Sequence, residues 1–185
     1  MSELINGVNL ESIGQLVDAV KGDKAVANVS FFAKSKWVGG TKTEVTINKI
    51  NSNGQDIARP GREFKFYVDE PPQLGGVDEA PNPVEYVIAG LCGCLTAAIA
   101  TNSALFETKL EEIEVSVEAQ CDLHGVLGLD KTVPSGLQNL KYAVKLKGPG
   151  SKENMLKSKE TIDRKSFVLN TLKNTLPAET SVVIE

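Results

Sequence analysis

The chain has 185 residues, with 20 lysines and arginines against 24 aspartates and glutamates, which gives a net charge of −4 at pH 7. This length suits one domain of ordinary size, and the mildly acidic balance argues against a nucleic-acid partner. We see no run of ~20 apolar residues and no basic-then-apolar N-terminus, so we expect neither a membrane span nor a secretory signal. Three cysteines without framework spacing favour a reducing cytoplasm.

The first half of the chain predicts one short helix, several strands and one long helix. The short helix is amphipathic, is capped by Asn9 and ends at Gly22. Three segments with strand character follow it: Ala25–Ala33, Trp37–Ile50 and Glu63–Asp69. A loop rich in proline and glycine, Asp69–Pro83, leads to a helix over about Pro83–Phe106, for which Asn82 can serve as the N-cap.

The second half predicts strands followed by helices. The segments are the strands Glu112–Cys121 and Leu140–Leu146, the helices Ser151–Asp163 and Ser166–Asn174, and a closing strand, Ser181–Glu185. Segregated runs of this kind are typical of an α+β fold with a largely antiparallel sheet. We therefore predict a helical extension over residues 1–24 and one α+β domain over residues 25–185, with its sheet packed on the long helix.

Two cysteines, Cys92 and Cys94, lie within the long helix among small residues that would let another element approach its backbone. These small residues are Ala89, Gly90, Gly93, Ala97, Ala98 and Ala100. Residues that are two positions apart on a helix are rotated by about 200° around its axis. The two thiols therefore point to nearly opposite sides and cannot form a disulfide with each other. Each thiol is either a small packing group or a protected nucleophile that needs a basic residue from elsewhere.

The loop and the long helix together carry a pattern of residues: Asp69-Glu70-Pro71, Leu74-Gly75-Gly76, Pro81-Asn82-Pro83-Val84-Glu85 and Cys94. This pattern resembles the OsmC/Ohr family, as do the Asp122…Gly125 segment and the helix near Ser166. The resemblance covers about residues 25–185 and implies a tightly intertwined homodimer with reactive sites at the subunit interface. It also implies a peroxidase in which a cysteine on this helix attacks an organic hydroperoxide, a second cysteine forms a disulfide with it, and external dithiols reduce that bond.

The resemblance also implies the site residues. Counting eleven positions from Pro83 selects Cys94 as the nucleophile, and in the family an arginine and a glutamate hold the sulfur as a thiolate. Arg62 is our candidate for the arginine. Three other basic residues of the same region are alternatives: Lys42, Arg59 and Lys65. Glu85 is our candidate for the glutamate, although it follows the family's acidic position by one residue and falls on the far side of the helix from Cys94.

The family's resolving cysteine is replaced by Ser166, whose hydroxyl cannot form a disulfide with a sulfenic acid. We therefore expect a one-cysteine peroxidase that is reduced by an external thiol, or one in which Cys121 or Cys92 resolves the intermediate. Two further functions stay open. One is a non-enzymatic dimer that binds a small ligand in the same pocket, and the other is a redox sensor in which oxidation of Cys94 changes the dimer.

The remaining polar residues have structural or surface interpretations. Cys121 is otherwise a packing residue at a strand end, and His124, the only histidine, is expected on a surface loop. Four carboxylates beside prolines and glycines are expected to be solvated: Asp69, Glu70, Asp78 and Glu79. The spacing of ligand types predicts no metal site, Gly75-Gly76 is no dinucleotide loop, and we expect no cofactor.

Overall fold

The structure is a computed structural model that describes residues 4–174 and 176–184. It contains two compact units. One unit is Asn9–Val87, and the other takes in the described residues of Met1–Val8 and Ile88–Glu185. Helices and antiparallel sheets make up the chain, so the predicted α+β class is confirmed.

In the unit Asn9–Val87, helix α1 spans Leu10–Gly22 and a 3₁₀ helix spans Lys24–Ala27. Asn9 caps α1, because its side chain accepts a hydrogen bond from the Ser12 N–H at 3.0 Å, as the sequence predicts. Four strands follow: β1 (Val29–Gly39), β2 (Lys42–Ser52), β3 (Gln55–Asp56) and β4 (Phe64–Val68). Strand β2 pairs antiparallel with each of the other three.

The hairpin between β1 and β2 corrects the predicted strand boundaries. The sequence predicts one strand over Ala25–Ala33 and another from Trp37, whereas the 3₁₀ helix ends at Ala27 and β1 continues from Val29 to Gly39. Gly39 and Gly40 adopt φ values of 151° and 53°, which are accessible to glycine because it has no Cβ. The chain reverses between Gly39 and Lys42, which pair with each other, and β1 has a further register shift at residues 32–34.

The other unit contains most of the long helix and the elements that follow it. These elements are α2 (Pro83–Leu105, which begins in the first unit), β5 (Glu112–Gln120), α3 (Leu123–Val126), β6 (Gln138–Lys147), α4 (Lys152–Lys165) and α5 (Phe167–Lys173). Strands β5 and β6 form an antiparallel pair. The predicted C-terminal strand is wrong for residues 181–184, which form none, and Glu185 lies outside the described residues.

The hydrophobic core of this unit is built on α2. Leu91, Leu95 and Ile99 are fully buried, and their spacing of four positions places them on one stripe of the helix. Ile162 of α4 and Leu169 of α5 complete the buried cluster. One face of the sheet packs against it, through Ile113, Val115, Val117, Leu140, Tyr142, Val144 and Leu146. The predicted packing of an antiparallel sheet on the long helix is therefore confirmed.

Helix α2 also bears on the expectation that no segment approaches the length of a membrane span. By length and composition alone it is long enough and apolar enough to cross a membrane, and the expectation that the chain has no membrane span stays a prediction. The core helix of a soluble protein passes the same test, and α2 carries the buried stripe of the core. Its composition therefore does not distinguish the two cases.

Candidate functional site

The nucleophile candidate, Cys94, lies near the middle of α2 and is half-buried. Its Sγ is 3.3 Å from the Oγ of Ser166, close enough for a hydrogen bond that involves sulfur. Ser166 is only 2% exposed and lies between α4 and α5. The structure therefore brings Ser166, at which the resemblance implies a resolving residue, directly against Cys94, 72 positions earlier in the chain.

The local structure around Ser166 orients its hydroxyl. The Ser166 N–H donates to the Ile162 carbonyl at 2.9 Å at the end of α4. Its Oγ caps α5 by accepting a hydrogen bond from the Leu169 N–H at 3.3 Å. Either atom can donate in the contact between this hydroxyl and the Cys94 thiol, and the hydroxyl is the donor when the sulfur is a thiolate. A donor at this place stabilises negative charge on sulfur.

The other two cysteines lie in different surroundings. All three cysteines are free thiols; Cys92 is half-buried within α2, whereas Cys121 is exposed directly after β5. The exposure of Cys121 overturns its assignment as a packing residue at the strand end. Its part as a substitute resolving thiol, like that of Cys92, stays a prediction.

Arg62, in the unit Asn9–Val87, has a guanidinium that lies over the ring of Phe64, with Cζ 4.8 Å from the ring centroid. Its Nη1 is buried and has no hydrogen-bond partner among the described residues. A buried donor without an acceptor costs free energy, more so when it is charged. Arg62 therefore carries an N–H that is available to an anionic group.

Two of the three alternative bases are already in ion pairs. Lys42 pairs with Glu79, and this hydrogen bond raises the pKa of the Lys42 ammonium. Lys65 pairs with Glu63 at 3.2 Å. Arg59 is exposed, and its carbonyl accepts a hydrogen bond from the Arg62 N–H at 3.1 Å. Among these residues, Arg62 is the one with a buried donor left unpaired.

Glu85 takes part in the N-terminal cap of α2. Its N–H donates to Oδ1 of Asn82 at 2.9 Å, and its own Oε2 accepts from the Asn82 N–H at 2.8 Å. This reciprocal pair is a capping box, and the Asn-x-x-Glu spacing that signals it is visible in the sequence. The sequence predicts Asn82 as the cap, and the structure adds the contribution of Glu85. A catalytic role for Glu85 stays a prediction.

The expectation that Asp69 is solvated is wrong, because this residue is only 1% exposed. Its carboxylate accepts hydrogen bonds from the Thr41 hydroxyl at 2.6 Å and from the N–H groups of Glu70, Val77 and Glu79 at 2.8, 3.4 and 3.3 Å. The Thr41 hydrogen bond is the main reason that the pKa of Asp69 falls to about 2, and the backbone donors add to it. Asp69 therefore holds the loop that follows it in place through hydrogen bonds to three of its backbone N–H groups.

His124 and Asp122 form a hydrogen-bonded pair at the surface. His124 is exposed in α3, with Nδ1 2.7 Å from the Asp122 carboxylate, so its expected surface position is confirmed, whereas the expected loop is a short helix. The hydrogen bond from the His124 N–H is the largest reason that the pKa of Asp122 is lowered. The described part of the chain contains no cluster of three or more side chains suited to a metal ion.

Comparisons with known proteins match this architecture. The model of the OsmC-like protein family matches residues 76–181, more than half of the chain. Similar solved structures include an OsmC-like protein from Mycoplasma pneumoniae (12% identity, TM-score 0.58, covering 78% of this chain and 87% of that one). A second, described as an osmotic stress induced and detoxification response protein from Psychrobacter arcticus 273-4, has 14% identity and a TM-score of 0.55 over 75% and 85% of the chains.

A third similar structure, an OsmC-like protein from Vibrio cholerae O1 biovar eltor, has 12% identity and a TM-score of 0.53 over 77% of this chain and 92% of that one. At such identities, the likeness shows a shared fold. No curated protein sequence matches the chain. The family match, which agrees with the resemblance seen in the sequence, shows that this chain belongs to the OsmC-like protein family.

Proposed function

We propose that this protein is a thiol-dependent peroxidase that reduces organic hydroperoxides through Cys94 as its one catalytic cysteine. The observation that carries the proposal is the 3.3 Å contact between Cys94 Sγ and Ser166 Oγ. The nucleophile position keeps its sulfur, and the residue at the resolving position is in contact with it but offers a hydroxyl. Membership of the OsmC-like family supports the class of reaction.

The proposed cycle begins when the Cys94 thiolate attacks the distal oxygen of the hydroperoxide. An S–O bond forms, the O–O bond breaks, and the alkoxide takes a proton and leaves as an alcohol, so that Cys94 becomes a sulfenic acid. An external thiol then attacks this sulfur and forms a mixed disulfide, while the hydroxyl leaves as water. A second thiol attacks the mixed disulfide, which releases the external disulfide and restores Cys94.

Three side chains have assigned roles in this proposal. The Ser166 hydroxyl donates a hydrogen bond to the sulfur of Cys94. Arg62 supplies the cation that stabilises the thiolate, since its buried Nη1 has no acceptor among the described residues. Glu85 is the proposed glutamate that helps Arg62 to hold the sulfur as a thiolate. It lies near the start of the helix, where it also closes the capping box. An external thiol is readily supplied in a reducing cytoplasm, which we propose as the location.

We also propose that the protein is a homodimer. On α2, the glycines Gly90 and Gly93 are exposed, and a Cβ built at either would meet nothing within 4 Å. A helix surface without side chains lets another backbone approach closely. Sedimentation equilibrium should give twice the monomer mass, and Gly93→Leu should weaken self-association. A monomer at micromolar concentration would contradict this part of the proposal.

The test of the peroxidase is a single-turnover reaction of the reduced protein with cumene hydroperoxide, in which dimedone traps the sulfenic acid and mass spectrometry locates the label. We expect rapid labelling confined to Cys94. Cys94→Ser should abolish peroxide consumption, whereas the matched control Cys92→Ser, on the same helix, should keep most of it. Equal losses of peroxide consumption in the two variants would contradict the assignment of Cys94 as the catalytic cysteine.

The same measurement separates the two other functions that the sequence leaves open. Stoichiometric labelling of Cys94 without turnover, in the presence of excess small thiol, would favour a redox sensor. Slow labelling spread over all cysteines would favour a protein that binds a ligand without reacting with it. Sustained alcohol formation, with two external thiols consumed for each hydroperoxide, is the result that the peroxidase proposal requires.

A further inference from the structure

A groove of about 590 Å³ lies between β6 and α4, and neither Cys94 nor Ser166 lines it. Its volume falls within the range of about 300–1,000 Å³ that is usual for small-molecule sites. The walls are apolar, with two side chains from the strand and two from the helix: Val144, Leu146, Met155 and Leu156. Met155 is 8% exposed and continues into the interior, whereas Leu156 is 58% exposed.

The sequence builds this groove from one face of each element. Four lining residues of α4 have the spacing i, i+3, i+4 and i+7, which places them on one side of the helix: Lys152, Met155, Leu156 and Lys159. The turn between β6 and α4 also lines the groove, through Gly148 and Gly150. A Cβ at Gly148 would lie 2.6 Å from the Lys109 carbonyl oxygen, so glycine lets this turn pack closely.

The charges around the groove are positive. Three lysines line the groove, namely Lys147, Lys152 and Lys159. Among the described residues, no acidic side chain lines it. Lys159 pairs with Asp163 at 2.7 Å, and Lys147 is 4.0 Å from Glu111. Lys152 has no ion-pair partner in the described part of the chain and lies in the first turn of α4, where the helix dipole disfavours a cation. An anion beside Lys152 would be stabilised both by this ammonium and by the helix.

We infer that the groove binds a single-chain amphiphile with a carboxylate head, such as a medium-chain fatty acid. The carboxylate lies at the Lys147–Lys152 end, and the hydrocarbon chain packs along Val144, Leu146 and Leu156. This arrangement matches an apolar body to the apolar walls and one negative charge to the unpaired ammonium. It needs no reaction at Cys94 and stands whether or not the peroxidase proposal holds.

The first experiment is isothermal titration calorimetry of the whole protein with octanoate, decanoate and laurate, all below the concentrations at which they form micelles. Each pair of added methylene groups should tighten binding by about tenfold, because each one removes more apolar surface from water. Laurate should bind more tightly than dodecanol or dodecyltrimethylammonium, and added salt should weaken it. Equal binding of the three C12 compounds would overturn the assignment of a carboxylate head.

The second experiment locates the site with variants. Lys152→Gln should weaken laurate binding about threefold, and Leu156→Asp should weaken it by about tenfold or more. The matched controls are Lys157→Gln, on α4 but not lining the groove, and Leu129→Asp, which is 70% exposed in a loop. Both controls should bind laurate like the unaltered protein.

Two results would overturn this inference. One is laurate binding that neither groove variant changes, which would place the fatty acid elsewhere. The other is a loss of self-association in Leu156→Asp without any laurate binding by the unaltered protein, which would show that a second copy occupies the groove. Cys94→Ser should still bind laurate, so a failure of the peroxidase proposal is distinguishable from a failure here.

Discussion

Replacement of Ser166 by cysteine should create a disulfide with Cys94. The two side-chain atoms are already 3.3 Å apart, so a sulfur at position 166 must approach by only about 1.3 Å to reach the usual S–S length of about 2.0 Å. The bond would close a loop of 72 residues. In the chain-entropy model, a loop of this length stabilises the folded state by about 4.4 kcal/mol at 25 °C.

The substitution also removes a helix cap, which lowers the net gain. Ser166 accepts the Leu169 N–H at the start of α5, and the loss of such a cap costs about 1 kcal/mol. We therefore expect the oxidised Ser166→Cys variant to be about 3 kcal/mol more stable than the unaltered protein. For a chain of this size, that gain corresponds to a melting temperature about 6–12 °C higher. The reduced variant should be about 1 kcal/mol less stable.

The assay is urea unfolding of the oxidised and reduced variant, with mass spectrometry to identify the linked peptides. Ser166→Cys combined with Cys92→Ser should still form the bond, and Ser166→Cys combined with Cys94→Ser should not. The variant should also turn over faster than the unaltered protein with a dithiol reductant. If one equivalent of hydroperoxide produced no disulfide between Cys94 and the introduced thiol, the proximity of the two positions would be refuted.

Three further predictions concern the groups that hold the site in place. Asn82→Ala should lower the free energy of unfolding by about 1 kcal/mol, since it removes half of the capping box with Glu85; an unchanged urea midpoint would contradict this. The pKa of Asp69 is lowered from 3.8 to about 2, so its stabilising contribution is present above pH 3.8 and is lost as the pH falls through about 2. Asp69→Asn should remove this part of the pH dependence of the melting temperature, and an identical profile would rule the group out. Ser103→Ala should lower the free energy of unfolding in urea by about 1 kcal/mol, because it removes a buried 3.0 Å hydrogen bond to Ser158 between α2 and α4. A double variant with Ser158→Ala that costs as much as the sum of the two single changes would show that the pair is not coupled.

Local signals in the sequence predict where α1 and α2 begin. Asn9 and Asn82 are N-caps in the structure, as their side chains and positions indicate. The strand-like residues on both sides of Gly39 and Gly40 predict one continuous strand from Trp37, although these two glycines allow the chain to turn there. The strand predicted over Ser181–Glu185 has the right β-branched residues, but residues 181–184 form none, because a strand needs a paired edge that local composition does not supply.

The burial of Asp69 shows what local signals leave out. Its neighbours in sequence are charged residues and prolines, which suggest a solvated loop. Its principal partner, the Thr41 hydroxyl, lies 28 residues earlier, and another donor, Val77, lies 8 residues later. Only the folded chain brings these donors around one carboxylate, so its burial could not be predicted from the spacing of charges.

The serine at position 166, where the resemblance implies a resolving cysteine, separates the needs of the fold from those of the proposed chemistry. Serine caps α5 well and fills the same place against Cys94, so the packing of the two helices needs no sulfur there. The proposed chemistry would need a sulfur for internal resolution, because a hydroxyl forms no disulfide with a sulfenic acid. In the proposed peroxidase, the side-chain atom at residue 166 therefore decides whether oxidised Cys94 is resolved within the chain or by an external thiol.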